Sequence, residues 1–141
     1  MTDPQTVMAR YHTAWSNRDL RALSSLLAPD FVTYDLNSGE GRDRDWEINN
    51  CRVWHDAFSD SEIEIQQMVM DGDVFGGQIA VRWLLTATHS ADFMGVPASG
   101  KTVRIPGMEV NRVENGLIVE TWRLSDTFTL LIQLDVKIGS N

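Results

Sequence analysis

A carboxylate near the end of the chain is the first candidate for proton-transfer chemistry. Asp126 continues a strand-like segment in which alternate residues share one face, namely Ile118, Glu120, Trp122 and Leu124. A carboxyl group at the end of an apolar row loses hydration, which would raise its pKa and let it exchange protons near neutral pH. Asp126 also directly precedes residues 127–134 and could cap a helix there. Spacing alone leaves both interpretations open, and Glu120 is interpreted as a solvated or paired residue.

Histidine provides a second candidate. His89 ends an alternating row that contains Val81, Trp83, Leu85 and Ala87. This spacing predicts that His89 lies at the rim of an apolar face, where it could assist catalysis or play a structural role. His12 and His55 are both predicted to be surface residues, because His12 falls on the polar side of its helix and His55 neighbours Asp56.

An amide also falls among apolar residues at helical spacing. Asn50 recurs on one face with Trp46, Val53, Trp54, Ala57 and Phe58. A buried amide costs free energy unless it finds a partner, so Asn50 either satisfies backbone groups or orients a carbonyl of a ligand. We favour contact with a ligand.

The chain is rich in tryptophan, with five in 141 residues. Each could be an ordinary core residue, but together they favour a cavity that accepts a flat ring system. We predict substrate contacts from Trp15, Trp54 and Trp122, and from Met108 on the strand before the last hairpin.

Charge and cysteine content restrict the function classes. The formal net charge of -8 argues against a nucleic-acid partner, because that affinity comes mostly from clustered Lys and Arg. The single cysteine, Cys51, cannot form an internal disulfide, and no Cys/His grouping predicts a metal site. No window approaches the roughly 20 apolar residues of a membrane span, so we expect no membrane partner. A reducing cytoplasm is the expected location.

The hydrophobic period predicts helices first and strands afterwards. Asp3 and Pro4 begin the first predicted helix, Asn17 is the predicted cap of the second, and residues 46–58 form the third. From about residue 61 the period changes to two, with turns predicted at residues 71–73 and at Asn115-Gly116. Residues 127–134 read as a short helix or an extended tail. One α+β domain over residues 1–141 follows, in which three N-terminal helices pack against a curved, mostly antiparallel sheet to form a cone with an apolar interior.

Several stretches resemble the SnoaL-like polyketide cyclases. They are AWSNRDL at 14–20, MDGDV at 70–74, IAVRW at 79–83, TATH at 86–89, FMGVPASGK at 93–101, RVENGLIVETW at 112–122, DT at 126–127 and LLIQL at 130–134. The resemblance covers nearly the whole chain and is specific as a pattern. It implies the cone-shaped α+β barrel of the nuclear-transport-factor-like superfamily, usually as a homo-oligomer, with a dimer favoured over a tetramer.

The resemblance also implies a chemistry. Asp126 matches the aspartate that serves these cyclases as general acid/base in an intramolecular aldol condensation, which closes a ring of an anthracycline-type polyketide. The implied substrate is a small hydrophobic polycyclic molecule, with no metal or organic cofactor.

One departure from the family pattern keeps other functions open. The cyclases carry a histidine on the strand before the final hairpin, whereas residues 108–113 here read MEVNRV. Relatives on the same scaffold hydroxylate aromatic polyketides, so hydroxylation stands beside cyclisation. The third hypothesis is a non-catalytic module that binds a small molecule and in which Asp126 only caps a helix.

Overall fold

Four helices are present in the computed structural model, which describes residues 2–137. They are α1 (Pro4–Ser16), α2 (Leu20–Leu26), α3 (Arg44–Ala57) and α4 (Thr127–Gln133). The first three are the predicted N-terminal helices. The fourth, α4, shows that this segment is a helix and not an extended tail.

Aspartate side chains determine where the helices begin. Asp3 accepts a hydrogen bond from the backbone N–H of Thr6, and Pro4 occupies the first turn of α1, where the missing N–H costs nothing. The predicted cap of α2 is wrong: Asp19 accepts from the backbone of Ala22, whereas Asn17 ends α1. Both residues are good caps, and the sequence does not show which of two adjacent ends each one serves.

Within residues 2–137, six strands form one sheet. They are β1 (Leu27–Asp35), β2 (Gly41–Asp43), β3 (Glu62–Asp73), β4 (Gly76–Thr88), β5 (Thr102–Glu114) and β6 (Leu117–Ser125). Their order across the sheet is β2-β1-β6-β5-β4-β3. Only the β1–β6 pairing is parallel among these strands. The predicted α+β class with a curved, mostly antiparallel sheet is therefore confirmed, and the sheet is open.

Two tight hairpins order the second half of the chain. Asn115 and Gly116 join β5 to β6 as predicted, and both have positive φ, of 51° and 80°, as a type I′ turn requires. The turn between β3 and β4 lies at Val74 and Phe75, because the predicted turn residues 71–73 still pair within the sheet.

A β-bulge in β6 reverses which side chains face the helices. Ile118 pairs with Val113 while Glu120 pairs with Arg112, so β6 contains one extra residue between those pairs. The bulge places both Ile118 and Thr121 in the core, at 1% and 2% exposure. Beyond it the inward row continues through Arg123 and Ser125, and the predicted row of Trp122, Leu124 and Asp126 faces outward.

The core lies between the helices and the inner face of the sheet. It includes Val7 and Met8 of α1, Cys51 of α3 and Val81 of β4, all without solvent exposure. Burial raises the pKa of the Cys51 thiol to about 12, so this cysteine is an unreactive packing residue. No helix in the described part of the chain is long and apolar enough to cross a membrane.

A buried histidine connects α3 to α1. The Nε2 atom of His55 lies 2.7 Å from the carbonyl oxygen of Trp15, and the two rings pack with centroids 4.9 Å apart. The prediction that His55 is a surface residue is wrong, since only 2% of it is exposed. Burial lowers the pKa of His55 below its ordinary value of 6.5.

This burial predicts a loss of stability in mild acid. Because the unfolded chain binds a proton at His55 before the folded chain does, the free energy of unfolding should fall as the pH drops below 6.5 and through the folded pKa. His55→Gln keeps a donor for Trp15 and removes the titration. Urea unfolding between pH 7.5 and 5 should therefore show a weaker pH dependence in the variant, and equal slopes in the two proteins would contradict the assignment.

Candidate active site

A cavity of about 490 Å³ opens between the helices and the inner face of the sheet. It combines apolar walls with an ionisable floor. The lining residues are Tyr11, His12, Trp15, Asp35, Trp46, Asn50, Trp54, Ile63, Trp83, Leu85, Phe93, Met94, Ile105, Glu109, Arg123, Ser125, Thr127 and Leu130.

Aromatic rings form much of the apolar wall. Trp54 of α3 meets Phe93 edge to face, with centroids 5.2 Å apart, and its indole N–H donates to the Ser61 hydroxyl at 2.7 Å. Trp83 of β4 lies over Gly107 of β5, where a Cβ atom would come within 2.1 Å of the indole. Glycine at 107 thus gives Trp83 the space for its position in the wall.

The floor is a chain of buried ionisable groups. His12 Nε2 lies 2.6 Å from Glu109 Oε1, and Arg123 Nε lies 3.3 Å from Glu109 Oε2. Arg123 also donates to both oxygens of Glu47, at 2.7 and 3.2 Å. Since α1, α3, β5 and β6 each contribute one of these four side chains, the chain of contacts joins four elements at one point.

Tyr11 completes the floor. Its hydroxyl donates to Glu47 Oε1 and accepts from Arg123 at 3.2 Å. Burial, and next to it the charge of Glu47, raises the pKa of Tyr11 well above its ordinary value, so the phenol stays protonated.

The charged members of the floor stabilise one another. Burial by itself raises the pKa of Glu109, but its contacts with His12 and Arg123 outweigh burial and hold that pKa below its ordinary value. Burial alone would lower the pKa of Arg123, yet Glu47, Tyr11 and Glu109 together raise it well above the usual range. Glu109 is therefore an anion and Arg123 a cation inside a largely apolar chamber.

A smaller recess of about 170 Å³ continues the cavity towards the N-terminal end of α3. The two share Asp35, Trp46, Asn50, Arg123, Ser125 and Thr127 as common wall. The recess adds polar groups from the β1–β2 region, among them Thr33, Asn37 and Arg42. A ligand can thus place rings in the apolar chamber and a polar end in the recess.

Three of the predicted site residues lie in the cavity wall. Trp15 and Trp54 are on the apolar side, and Asn50 is on the wall shared with the recess. Their contact with a ligand stays a prediction.

Asp126 lies outside the cavity. Its carboxylate caps α4, accepting from the backbone N–H of Thr129 at 2.9 Å and from the Thr129 hydroxyl at 2.6 Å. These hydrogen bonds lower the pKa of Asp126, so the predicted inward orientation and raised pKa are both wrong. The bulge in β6 is the physical reason, because it turns residue 126 away from the chamber.

His89 is fully buried and does not line the cavity. Its Nδ1 lies 2.9 Å from the Ser99 hydroxyl and accepts the Ser99 backbone N–H at 3.3 Å, while its ring stacks on Phe58. These contacts fix the start of the 90–100 loop to its end. His89 thus ends the buried row of β4, as its spacing predicts, and it supports the loop that carries Phe93.

Met108 and Trp122 face the outer side of the sheet. They are 56% and 41% exposed, and Trp122 stacks on Tyr34 with centroids 4.2 Å apart. The strand alternation explains Met108, because its neighbours Gly107 and Glu109 point inward. Neither residue lines the cavity, so their predicted places inside it are wrong.

The ionisable floor was not predicted from the sequence, although two patterns indicate it. Glu109 shares the inward row of β5 with Val103, Ile105, Asn111 and Val113. His12 stands four residues after Met8 and three before Trp15, the spacing of one helical face. The prediction that His12 is exposed is wrong, since only 3% of it is accessible. No group of three or more potential metal ligands occurs among the described residues.

The family model described as "SnoaL-like polyketide cyclase" matches residues 5–134, which is nearly the whole chain. The chain belongs to this family. No curated protein matches it.

Two solved structures of other proteins share the fold. IdmH from Streptomyces antibioticus, described as "a putative polyketide cyclase", is 33% identical over 94% of this chain and 99% of its own, with a TM-score of 0.83. AclR from Streptomyces galilaeus, described as "a putative hydroxylase", is 26% identical over 93% and 94% of the two chains, also with a TM-score of 0.83. This SnoaL-like chain is therefore similar in structure to proteins assigned to two different reactions.

The contact between Gly107 and Trp83 predicts a way to fill the cavity. Gly107→Ala should push the indole of Trp83 into the chamber, because the added methyl has no room beneath it. Binding of a dihydroxyanthraquinone, followed by tryptophan fluorescence, should weaken about tenfold or more. The matched control is Met108→Ala on the outer face, which should bind as the wild type does, and equal affinity in the glycine variant would contradict this geometry.

Proposed function

We propose that the protein is a tailoring enzyme of aromatic polyketide biosynthesis that closes a ring by intramolecular aldol condensation. The observation that carries the proposal is the cavity of about 490 Å³, which has aromatic walls and a buried ionisable floor. Pockets of roughly 300–1,000 Å³ suit small organic ligands, and stacking on tryptophan favours planar ones. An anthracycline-type precursor with three or four rings has this shape.

The floor supplies what the reaction needs. Ring closure requires a group that exchanges protons with the substrate and donors that hold the accepting carbonyl. His12, Glu109 and Arg123 supply ionisable groups, and Asn50 adds a side-chain amide to the cavity wall. Since an aldol step is redox-neutral, the proposal calls for no metal or organic cofactor.

The remaining predicted contacts fit this reaction. Trp15 and Trp54 would sandwich or border the rings, and Asn50 would orient a carbonyl near the recess. The unpaired thiol of Cys51 agrees with a reducing compartment, and we propose that the enzyme acts in the cytoplasm.

Hydroxylation is the second candidate. The similarity to AclR favours it, as does the absence of a histidine between residues 108 and 113. In that case the same cavity binds the polyketide, one atom of molecular oxygen enters the product, and an external two-electron reductant converts the other atom to water.

Product mass distinguishes these reactions. Incubation with tricyclic and tetracyclic methyl-ester polyketides should give a product of unchanged mass, or of mass less one water, and the reaction should proceed equally without oxygen. A gain of one oxygen that stops under anaerobic conditions would replace cyclisation by hydroxylation. Tight binding with no product under either condition would leave a binding module and overturn the enzyme proposal.

The outer face of the sheet supports a homodimer. Met108, Val110, Trp122 and Leu124 are each between 41% and 56% exposed on adjacent strands β5 and β6. A contiguous apolar patch that is exposed to water favours association, and a second copy of the chain presents the same patch, as a twofold-symmetric dimer requires.

A charge on this patch should dissociate the dimer. Leu124→Lys places an ammonium group where the two faces would meet, so its mass by light scattering should fall to that of the monomer, 15.9 kDa. Val53→Lys on α3, at a valine of similar exposure, is the matched control and should remain dimeric. A monomeric wild type would refute the dimer.

A further inference from the structure

We propose that His12 and Glu109 form the proton-transfer pair of this site, and that Glu47 keeps one proton on the pair by way of Arg123. The inference rests on the proposed function, because it assigns the acid/base group of the same cavity. The His12–Glu109 pair takes the place of Asp126 as the proposed acid/base group, because the Asp126 carboxylate is hydrogen-bonded to Thr129 at the start of α4.

The geometry of His12 supports this role. Its Nε2 lies 2.6 Å from Glu109 Oε1, a close contact that lacks hydrogen-bond geometry, and Nδ1 has no hydrogen-bond partner among residues 2–137. A buried ring nitrogen without a partner costs free energy, and a polar atom of a ligand in the adjoining cavity would satisfy it. Because the Nε2 side of the ring meets Glu109 and His12 lines the cavity, we assign Nδ1 as the nitrogen that the substrate approaches.

Charge balance places a proton on the pair. Glu47 and Glu109 carry two negative charges and Arg123 carries one positive charge, so the floor has an excess of one negative charge. A proton shared by His12 and Glu109 cancels it, and in a largely apolar chamber a neutral cluster is strongly preferred. The other titratable groups that line the cavity do not alter this sum, because Tyr11 stays protonated and Asp35, on the wall shared with the recess, is exposed to solvent that screens its charge.

The protonated pair can catalyse ring closure by aldol addition, and the protein takes up no net proton in the reaction. Nδ1–H of His12 gives its proton to the oxygen of the accepting carbonyl as the enol carbon of the substrate attacks that carbonyl carbon. The carbonyl π bond breaks, a carbon–carbon bond forms, and the enol O–H becomes a ketone. The proton released by the enol returns to Nδ1, which restores the pair.

Glu47 and Arg123 are positioning residues in this scheme. Arg123 bridges the two carboxylates, and the Tyr11 hydroxyl contacts both Glu47 and Arg123. Neither Glu47 nor the phenol needs to touch the substrate. Their effect on the reaction is the charge and the orientation that they impose on Glu109 and His12.

Removal of the Glu47 charge tests the electrostatic part. Glu47→Gln keeps the shape and removes one negative charge, so the pair should give up its proton at a lower pH than in the wild type. The shift should appear in the pH profile of polyketide turnover and in nitrogen-15 NMR of the ligand-free protein, where the His12 signal is the one missing from His12→Gln. The matched control, Glu64→Gln on the exposed edge of β3, should shift neither. An unshifted profile in folded Glu47→Gln would overturn the coupling.

Removal of the imidazole tests the catalytic part. His12→Gln should bind the dihydroxyanthraquinone but lose about 10²- to 10⁴-fold in turnover, the usual contribution of a general acid or base. Asp126→Ser, which keeps a capping hydroxyl, should retain turnover. The reverse pattern would restore Asp126 and refute the pair.

The two proposals fail in different ways. If the wild type forms no product from any polyketide, the proposed function fails, and NMR still reports on the proton of the pair. If the wild type forms product and His12→Gln forms it equally fast, only the pair is refuted. Should His12→Gln not fold, the pH profile of Glu47→Gln decides, since that variant keeps the imidazole.

Discussion

The ion pairs between Arg123 and the two glutamates are the interaction on which the site depends. They join α3 to β5 and β6, and His12 extends them to α1. Placing these charges in a largely apolar chamber has a desolvation cost that an all-apolar core would avoid, so stability alone does not account for them. What they provide is a unique arrangement: shifting any of the elements would leave a charge without its partner. The helices are thus held apart from the sheet at a fixed distance, and the cavity persists between them.

A single extra residue in β6 decides which chemistry occupies that cavity. Without the bulge near Val119, strict alternation from Ile118 would bring Trp122 and Asp126 inward and send Arg123 to the surface. With it, Arg123 meets the glutamates and Asp126 is free to cap α4. The bulge therefore couples two outcomes that look unrelated in the sequence, an ionised floor and a capped helix.

Local signals predicted the fold well and the site only in part. The start of α1 at Pro4 and the turn at Asn115-Gly116 depend on neighbouring residues alone, and both were correct. The inward face of β6 depends on its pairing with β5, which no pattern within β6 reveals, and this is why Asp126 was misplaced. Glu109 was different: its place in an apolar row was readable from β5, but a charged residue in such a row is easily taken for an exposed one.

The apolar walls and the charged floor depend on each other. Aromatic side chains exclude water from the chamber, which strengthens every charge interaction among His12, Glu109 and Arg123. The same exclusion makes an unbalanced charge costly, so the floor tolerates proton exchange only when the proton returns. A redox-neutral ring closure meets this condition, because it begins and ends with the same number of protons on the protein. Any reaction that turns over in this chamber must therefore restore the charge of the floor before the next cycle.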